Sequence, residues 1–389
     1  MNENDVVIVA AKRTPIGNML GNLASLPAPE LGAVANKAAL DQAGINPADL
    51  DEVIIGCVLP AGVGQAPARQ AAIKAGIPTA VGATTINKMC GSGMKAVMLA
   101  HDLIKSQTAS IVLAGGMESM SNAPYLLTKA RSGYRLGHGE LKDHMFLDGL
   151  EDAYDCGCLM GYFADLTAAN LQFSREEQDE YAIRSLTRAL DAQKHAFAAE
   201  ITPVTINDQV INKDEGPDEK KILKIKLLRP AFTPNGTVTA ANASSISDGA
   251  ASLILMAMAT AKKRQLKPLA KIIAHATHSQ EPAMFTTAPI EAIKKLLVKA
   301  GWQSSDVDLY EINEAFAVVV MAAIRSLKLN ESLVNIHGGA CALGHPIGAS
   351  GARIIATLIY ALQLQQKKRG VAALCIGGGE ATAIAIEII

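Results

Sequence analysis

The chain has 389 residues, 49% of them hydrophobic but only 4% aromatic, and its 36 basic and 37 acidic residues leave a formal net charge of −1. High hydrophobicity with almost no net charge excludes an intrinsically disordered protein. The balanced charge and the few aromatic rings argue against a nucleic-acid binder. No uncharged apolar run of about 18 residues is present, which argues against a membrane-spanning protein.

The two ends of the chain predict strands. The apolar run over residues 6–11 is too short for the hydrophobic region of a signal peptide and predicts a first β-strand. The final residues, AIAIEII, predict a last strand and do not resemble a targeting signal. We therefore expect a cytoplasmic α/β enzyme without nucleic-acid or membrane partners.

An internal repeat is the main organisational feature. Residues 40–56 align without a gap on residues 297–313, and each copy predicts a helix end with a glycine stop, followed by a strand. The segments that begin at Gly91 and Gly348 both predict a glycine-rich helix start and then an apolar strand. Three matched units in the same order predict two similar α/β halves, with sheets covered by helices on both faces.

A segment of different composition separates the two halves. It is rich in charge and contains a predicted helix that starts with a capping box of Ser174 and Glu177. Its later part, residues 207–226, is polar and lysine-rich and predicts a loop. The predicted units are a first half (residues 1–119 and 248–268), an inserted segment (residues 120–247) and a second half (residues 269–389).

Cys90 is the first candidate for chemistry. It lies between a predicted strand, TTINKM, and a predicted helix that begins GSGMKAV. The dipole and free amides of a helix N-terminus stabilise a thiolate, the reactive form of cysteine. Glycines directly after Cys90 favour close approach of a ligand. We expect a reactive nucleophile, and the alternative is a buried structural cysteine.

The same stretch offers a competing interpretation. Gly91, Gly93 and Ala96 match the GxGxxG/A fingerprint of dinucleotide-binding proteins. That fingerprint also needs an acidic residue about 20 positions further on. Glu118 is too distant and lies in a glycine-rich turn, so a nicotinamide enzyme is the weaker hypothesis.

Three further positions combine polar or nucleophilic side chains with rigid backbone. His345 lies in a glycine-flanked turn and is suited to acid–base catalysis, or else only holds that turn. Cys375 ends a predicted strand before three glycines, 377–379, whose amides can form a nest for negative charge. Asn313 and Glu314 end another strand, where they face a ligand crevice or cap the next helix.

Two other chemistries find little support. His337 in HGGA resembles the oxyanion segment of lipases, but no GxSxG nucleophile accompanies it. Cys156 and Cys158 lack the spacing and the histidine partners of a zinc site, so we expect no metal. These two cysteines, together with Cys57 and Cys341, are interpreted as packing residues.

Four segments resemble the signature blocks of thiolases, and most closely those of the biosynthetic group. They are NKMCGSGMKAV around Cys90, NEAFA from Asn313, GGACALGHPIGASGAR around His345 and LCIGGGE around Cys375. The resemblance covers the whole chain in order. It implies an α/β thiolase fold, in which two repeated βαβαβαββ halves form a five-layered α-β-α-β-α arrangement with an inserted loop domain.

The resemblance also implies a reaction, the condensation of two acetyl-CoA to acetoacetyl-CoA and CoA by ping-pong Claisen chemistry. Cys90 is similar to the acetylated nucleophile, His345 to the base that activates it, and Cys375 to the acid–base that takes the α-proton of the second acetyl-CoA. Asn313 would position a water that forms one oxyanion hole with His345. The amides of Cys90 and Gly377 would form the other. Coenzyme A thioesters are substrates, and no cofactor is expected.

Substrate contacts are implied in the same way. Ser244 is similar to a serine that contacts pantetheine, Met160 and Phe316 to residues of the acyl pocket, and Phe232 to a residue near the adenosine. Leu159 stands where biosynthetic thiolases usually have a histidine. Degradative members often have an apolar residue there, so a chain-length-tolerant 3-ketoacyl-CoA thiolase of fatty-acid β-oxidation stays an alternative.

Two further expectations concern assembly and a different class of protein. Thiolases form tight dimers, and the biosynthetic group adds a loop that makes tetramers, for which residues 124–145 are the candidate. We therefore expect a homotetramer. A non-catalytic acyl-CoA-binding protein that kept the fold is disfavoured, because binding alone needs neither Cys90 nor Cys375.

Overall fold

The computed structural model describes residues 2–389, in which strands and helices alternate along most of the chain. The strands are β1 (Val6–Arg13), β2 (Gly17–Asn18), β3 (Glu52–Gly56), β4 (Gly82–Ile86), β5 (Ile111–Ser119), β6 (Tyr125–Leu126), β7 (Lys142–Asp143), β8 (Val204–Ile206), β9 (Gln209–Ile211), β10 (Ser247–Ala257), β11 (Ala270–Ser279), β12 (Leu309–Ile312), β13 (Arg369–Ile376) and β14 (Glu380–Ile388). The helices are α1 (Ala28–Ala43), α2 (Pro67–Lys74), α3 (Ser92–Lys105), α4 (Met160–Asn170), α5 (Arg175–His195), α6 (Ile222–Ile225), α7 (Met258–Lys263), α8 (Ala288–Ala300), α9 (Ala317–Leu327), α10 (Ala340–Leu343) and α11 (Ser350–Leu364). Among residues 2–389, no helix is long and apolar enough to cross a membrane.

Ten strands form one mixed sheet that contains the repeat. The first half runs β4-β3-β5-β10-β1 and the second half β12-β13-β14-β11, and β2 adds to β10. In each half the strands nearest the outer edge are parallel, and the remaining pairs are antiparallel. The predicted α/β fold with two like halves is confirmed.

The two halves are joined by backbone hydrogen bonds, which the sequence repeat did not predict. Strands β1 and β11 pair antiparallel, with Val7 opposite Lys271 and Ile8 opposite Ala270. Strands β1 and β11 are each the innermost strand of their half. The pseudo-two-fold axis that relates the two halves therefore passes between these two strands. Each strand also carries an irregularity in its register, after Ile8 in β1 and after Ile272 in β11.

Helices α3 and α11 form a middle layer between the two halves of the sheet. Met94 and Val97 of α3, together with Ile355 and Leu358 of α11, lie in one buried apolar cluster with strands from both halves. Helix α11 is buried around most of its circumference, which fits its almost continuous apolar sequence. Helices α1 and α2 cover the outer face of the first half, and α8 and α9 cover that of the second. The arrangement has the five layers α-β-α-β-α.

A close backbone contact brings the start of α11 against the first half. A side chain at Gly116 of β5 would overlap the carbonyl group of Gly348, just before α11. Only glycine fits between these two backbones. The turn that carries His345 is therefore held against the edge of the first half.

Residues 120–246 lie outside the main sheet and contain two small two-stranded sheets and helices α4 to α6, and Ser247 already begins β10. Helix α5 begins with the predicted capping box, in which Ser174 and Glu177 exchange side-chain and backbone hydrogen bonds. The prediction of a loop over residues 207–226 is wrong at β9 and α6. Strand β9 forms because Asn207 and Asp208 adopt positive φ angles of 47° and 65°, the geometry of a tight hairpin turn. The boundaries of the three units stay a prediction.

Candidate active site

Three loops and the end of one strand carry the predicted catalytic residues. Cys90 lies between β4 and α3, His345 between α10 and α11, Asn313 after β12, and Cys375 near the end of β13. The backbone N–H groups of Gly377 and of Cys90 itself are directed at the Cys90 sulfur. Cys375 lies close enough for a charge on Cys90 to raise its pKa. The predicted nucleophile, the second cysteine and the glycine-rich turn are therefore assembled in one place.

His345 is held in a defined tautomer. Its Nδ1 lies 2.6 Å from Ser350 Oγ, and that hydroxyl donates to the carbonyl of Pro346 at 3.0 Å. Ser350 must therefore accept a hydrogen bond from Nδ1–H, which leaves a lone pair on Nε2. Nε2 faces the side-chain amide of Asn313 at 3.5 Å. Burial, and to a smaller extent the charge of Arg353, lowers the pKa of His345 to about 3, so the ring is neutral and can accept a proton.

The amide of Asn313 is oriented from its other side by a buried cation. Arg353 of α11 donates from Nη2 to Asn313 Oδ1 at 3.4 Å, which turns the Asn313 NH₂ group towards His345. The alternative interpretation of Asn313 as a helix cap is wrong, because α9 starts only at Ala317 with Phe316 as its N-cap. No sequence pattern singles out Arg353 beyond its place in the family block around His345.

Glu314, the neighbour of Asn313, has a structural role. Its buried carboxylate accepts hydrogen bonds from the hydroxyl groups of Tyr181 at 2.8 Å and Ser185 at 2.7 Å, both on α5. The side-chain NH₂ of Asn335 and the backbone N–H of Cys341 also donate to it. Glu314 therefore fixes the strand end that carries Asn313 against the inserted segment.

The expected low-pKa thiolate at Cys90 is not what the structure shows. Desolvation raises the pKa of Cys90 to about 11, although the two amides directed at its sulfur oppose the shift. The buried carboxylate of Glu118 raises this pKa further. Since the helix N-terminus does not outweigh burial, the free protein holds Cys90 as a thiol, which needs a base before it can attack.

Cys375 lies in an even less polar environment. It is fully buried at the end of β13, where the register places it opposite Ala381. Burial, with a contribution from Cys90, raises the pKa of Cys375 well above the ordinary value of a thiol. A thiolate formed there would be a strong base, because the same desolvation that disfavours the anion increases its affinity for a proton.

Glu118, at the end of β5, ties loops from both halves together. Its carboxylate accepts hydrogen bonds from the backbone N–H groups of Val58 at 3.0 Å, Leu59 at 3.1 Å and Gly348 at 2.8 Å. Burial raises the pKa of Glu118 to about 7, although these donors favour its charged form. Sequence reasoning noted this residue only as an acid too distant to complete the dinucleotide fingerprint. The signal that could have found it is in the repeat, where the two matched strands are each followed by glycines and a glutamate, Glu118 in one copy and Glu380 in the other.

Glu380 holds the Cys90 loop from the second half. It forms an ion pair with Lys88, two residues before Cys90, and accepts a hydrogen bond from Ser279 at 3.0 Å. The two glutamates of the repeat thus hold different loops of the site. Glu118 fixes the turn after His345, and Glu380 fixes the approach to Cys90.

The predicted substrate contacts form one continuous wall beside the glycine-rich turn. A side chain at Gly377 would lie 3.3 Å from the sulfur of Met160, the first residue of α4, which follows Leu159. The Phe232 ring lies directly against Gly161, and its centroid is 5.9 Å from that of Phe316 in an edge-to-face contact.

The same wall continues to Ser244. Its backbone N–H donates to the carbonyl of Ala315 at 2.9 Å, and Ala243 pairs with Phe316 as an isolated antiparallel bridge. Leu159 itself is half-buried. The structure therefore links all five predicted substrate contacts to one another and, through Met160, to Gly377, and their roles towards a substrate stay predictions.

The remaining cysteines differ from one another. Cys57 is buried, with its thiol 3.7 Å from a Glu118 oxygen, and Cys158 and Cys341 are half-buried. These positions fit the expected packing roles. Cys156 is exposed, so its interpretation as a packing residue is wrong, because it lies in a surface turn before α4.

The glycines of the dinucleotide fingerprint are needed for close packing within the protein. A side chain at Gly91 would overlap Ile376, and one at Gly93 would lie 2.8 Å from the backbone nitrogen of Ala352 on α11. Neither glycine leaves room for a pyrophosphate. The geometry therefore disfavours the nicotinamide hypothesis.

Comparison with known proteins agrees with this geometry. The model of the thiolase N-terminal domain matches residues 6–259, and that of the thiolase C-terminal domain matches residues 266–388. The chain belongs to the thiolase family. It is 50% identical to acetyl-CoA acetyltransferase 2 of Arabidopsis thaliana over 398 residues, which cover 100% of this chain and 98% of that protein.

Two solved thiolase structures show the same fold. The Bacillus anthracis acetyl-CoA acetyltransferase matches with a TM-score of 0.96 and 40% identity, over 99% of each chain. The Acat5 thiolase of Ascaris suum, solved in complex with coenzyme A, matches with a TM-score of 0.95 and 43% identity, over 99% of this chain and 100% of that one.

The raised pKa of Cys90 predicts how the free enzyme reacts with iodoacetamide, which attacks thiolates. A pKa of about 11 leaves the thiol protonated below that pH. The rate of Cys90 alkylation should therefore rise about tenfold with each pH unit from about pH 7 to pH 10. Peptide mapping after timed quenching measures this rate. Free cysteine, with its pKa of about 8.5, is the control and should level off within that range. An alkylation rate that does not change with pH from pH 7 to pH 10 would show that Cys90 is a preformed thiolate.

Proposed function

We propose that this thiolase is an acetyl-CoA C-acetyltransferase, which condenses two acetyl-CoA to acetoacetyl-CoA and CoA and catalyses the reverse thiolysis. The observation that carries the proposal is the placement of two thiols, the half-buried Cys90 and the buried Cys375, beside the backbone amides of the glycine-rich turn and the neutral His345. The relatives named acetyl-CoA acetyltransferase support the same reaction. The enzyme would be an acyltransferase that needs no cofactor, because coenzyme A thioesters are its substrates.

The first half-reaction would transfer an acetyl group to Cys90. His345 Nε2 takes the proton of the Cys90 thiol as the sulfur attacks the thioester carbonyl. The tetrahedral intermediate then expels the CoA thiolate, which takes the proton of the Cys375 thiol and leaves Cys375 as a thiolate. A neutral imidazole is required for the first step, and the lowered pKa of His345 keeps it neutral across the physiological range. The product on Cys90 is again a thioester, so it stays reactive for the next step.

The second half-reaction would form the carbon–carbon bond. The Cys375 thiolate removes a proton from the α-carbon of a second acetyl-CoA, and the resulting enolate attacks the acetyl carbonyl on Cys90. The Cys90 sulfur then leaves and takes back its proton from His345, and acetoacetyl-CoA is released. Over one turnover the proton lost from the α-carbon is balanced by the proton carried away on the free CoA thiol.

Two groups of hydrogen-bond donors would stabilise the negative oxygen atoms formed in these steps. The amides of Cys90 and Gly377 already point at the Cys90 sulfur, so the oxygen of an acyl group bonded to that sulfur would lie within their reach. His345 and a water held by Asn313 would donate hydrogen bonds to the thioester oxygen of the second substrate. Donors fixed in advance in this way typically contribute about 2.7–4 kcal/mol each to transition-state stabilisation.

The wall formed by Met160, Phe316 and Phe232 would hold the acyl and pantetheine portions of the substrate. These side chains are apolar and packed against one another, as expected for a pocket that excludes water from the acyl group. Ser244 would contact the pantetheine arm. Leu159, at the start of the same helix as Met160, would border the acyl end.

The roles of the two cysteines predict different behaviour for two variants. Cys90→Ser should show no acetyl adduct by intact-mass measurement with acetyl-CoA, because the hydroxyl is a poorer nucleophile and its acyl product is an unreactive ester. Cys375→Ser should still form the adduct on Cys90, while its condensation rate falls by about 10²–10⁴-fold. The exposed Cys156→Ser is the matched control and should behave as wild type. A wild-type enzyme that forms no adduct would contradict the mechanism.

A second candidate function follows from Leu159. An apolar side chain at the acyl end would leave room for longer chains, as in a chain-length-tolerant 3-ketoacyl-CoA thiolase. We nevertheless expect the four-carbon acetoacetyl-CoA to be cleaved with the highest kcat/KM, because Met160 and Phe316 fill the space beside Gly377.

Thiolysis of 3-ketoacyl-CoA substrates of increasing length decides between the two functions. Leu159→His should lower kcat/KM for the six-carbon substrate by about tenfold more than for the four-carbon one, since a polar imidazole at the acyl end disfavours burial of the extra methylenes. Leu166→His is the matched control, because Leu166 lies on the same helix but is exposed. Wild-type preference for the longer substrates would assign the enzyme to the second function.

For assembly and compartment we propose a cytoplasmic homotetramer with no nucleic-acid or membrane partner. Residues 124–145 support the tetramer, because β6 and β7 pair into an arm whose apolar side chains are exposed. Leu136 is 98% exposed, Tyr125 66% and Leu141 65%, which is unusual for such side chains on a surface without a partner.

A further inference from the structure

A cluster of two histidines and one aspartate lies away from the proposed active site, in the last turn of α3 and on β11. His275 Nε2 lies 2.8 Å from Asp102 Oδ1, and His101 Nδ1 lies 2.9 Å from the same oxygen. The two imidazole rings meet edge to face, with centroids 5.1 Å apart. The His101 and His275 side chains are 15% and 17% exposed, and Asp102 is 54% exposed, so the cluster is partly enclosed but open to solvent on one side.

An irregularity in the backbone of β11 directs His275 into this cluster. The register of β11 against β14 shifts between Ile272 and Ala274, as in a β-bulge. After the shift His275 is paired with Ile384, which belongs to the buried cluster of the middle layer that also contains α3. Regular alternation from Ile272 would have turned His275 to the opposite face. Bulges commonly redirect a side chain towards a functional site in this way.

The internal pseudo-symmetry shows that the fold itself does not need these ionisable residues. In β1 the equivalent shift occurs between Ile8 and Ala10, and the residue in the place of His275 is Ala11. There Tyr360 of α11, the repeat mate of Asp102, donates a hydrogen bond from its hydroxyl to the carbonyl of Ala11 at 2.8 Å. Neutral groups thus make the contact between α11 and β1, whereas a His-Asp-His cluster makes the equivalent contact between α3 and β11.

The three side chains offer the ligands that zinc and similar ions prefer. Zinc binds imidazole nitrogens at about 2.0–2.1 Å and carboxylate oxygens at about 2.0–2.2 Å in tetrahedral geometry. Ligand atoms in such a site are about 3.4 Å apart. The candidate ligand atoms here all lie within 4.8 Å of one another. Small side-chain rotations that open the two short contacts by about 0.5 Å would therefore accommodate an ion, with water as the remaining ligand.

The local charges are compatible with a divalent cation. The carboxylate and the C-terminal end of the α3 dipole both favour positive charge. Two lysines face the cluster: Lys105 lies near His101 on α3, and Lys299 of α8 donates to the backbone carbonyl of His275 at 3.2 Å. They oppose an ion and will limit its affinity.

We propose that His101, Asp102 and His275 bind a divalent transition-metal ion of the zinc class, which links α3 of the first half to β11 of the second. This link would stabilise the junction of the halves without touching the reacting groups. It is independent of the proposed acetyl transfer. Sequence spacing could not reveal the site, because its histidines lie far apart in the chain and meet only through the fold.

The test uses the full-length enzyme, freed of metal by a chelator and titrated with Zn²⁺ by calorimetry and with Co²⁺ by absorption spectroscopy. Wild type should bind about one ion per chain and show a raised Tm. The cobalt spectrum should show visible bands of a nitrogen and oxygen site, without the near-ultraviolet band of a Co–thiolate bond. This readout separates the cluster from the six free cysteines.

His275→Gln should weaken Zn²⁺ binding at least about tenfold and remove the Tm increase, while acetyl transfer stays at the wild-type rate. His278→Gln is the matched control, because His278 lies on the same strand and contacts Gln280 and Lys295 instead. It should keep full binding. Failure of wild type to bind Zn²⁺ at micromolar concentrations, or unchanged binding in His275→Gln, would overturn the proposal and leave the cluster as a hydrogen-bonded contact.

Discussion

The contact between the two halves at Glu118 is the constraint on which the candidate site depends. A single buried carboxylate accepts backbone N–H groups from the first half, at Val58 and Leu59, and from the second half, at Gly348. The neighbouring Gly116 lets the backbone of Gly348 approach the sheet with no side chain between them. The turn that carries His345 is thereby fixed against the half that carries Cys90. Without this contact the repeat would supply two stable halves but no common site.

The same close packing sets the electrostatics of the site. Burial raises the pKa values of both Cys90 and Cys375, and it lowers the pKa of His345. All three groups are therefore neutral near pH 7, and charge appears only when a substrate is present. This arrangement suits proton transfer during the reaction, because a neutral base and a protonated thiol can exchange a proton without a preformed ion pair. It also explains why fixed backbone amides are needed where negative oxygen atoms would form.

Much of the fold follows from local patterns in the sequence. The helix stop at Gly44 and its repeat mate Gly301 both adopt the left-handed conformation that the repeat predicts, and α5 begins at the predicted capping box. Such features depend on neighbouring residues, which is why the sequence reveals them. The pairing of β1 with β11 joins strands that lie far apart in the chain and has no local signal.

The site was predictable to a similar extent. Cys90, His345 and Cys375 stand out because each adjoins glycines at a strand or helix end. The pKa of Cys90 was wrongly expected to be low, because desolvation depends on what packs around the sulfur and not on its position along the chain. Glu118 was missed for the same reason, since its partners come from distant loops.

The most direct test of this account is the rate at which acetyl-CoA acetylates Cys90 in a Glu118→Gln variant. The amide retains the size of the side chain but places an NH₂ group against backbone donors, so it cannot hold the loops of both halves. In folded enzyme with an unchanged circular dichroism spectrum, quenched-flow mass spectrometry should show acetylation slowed by about 10²-fold or more, since small displacements of catalytic groups have effects of that size. Acetylation of Glu118→Gln at the wild-type rate would contradict the claim that this carboxylate positions the active site.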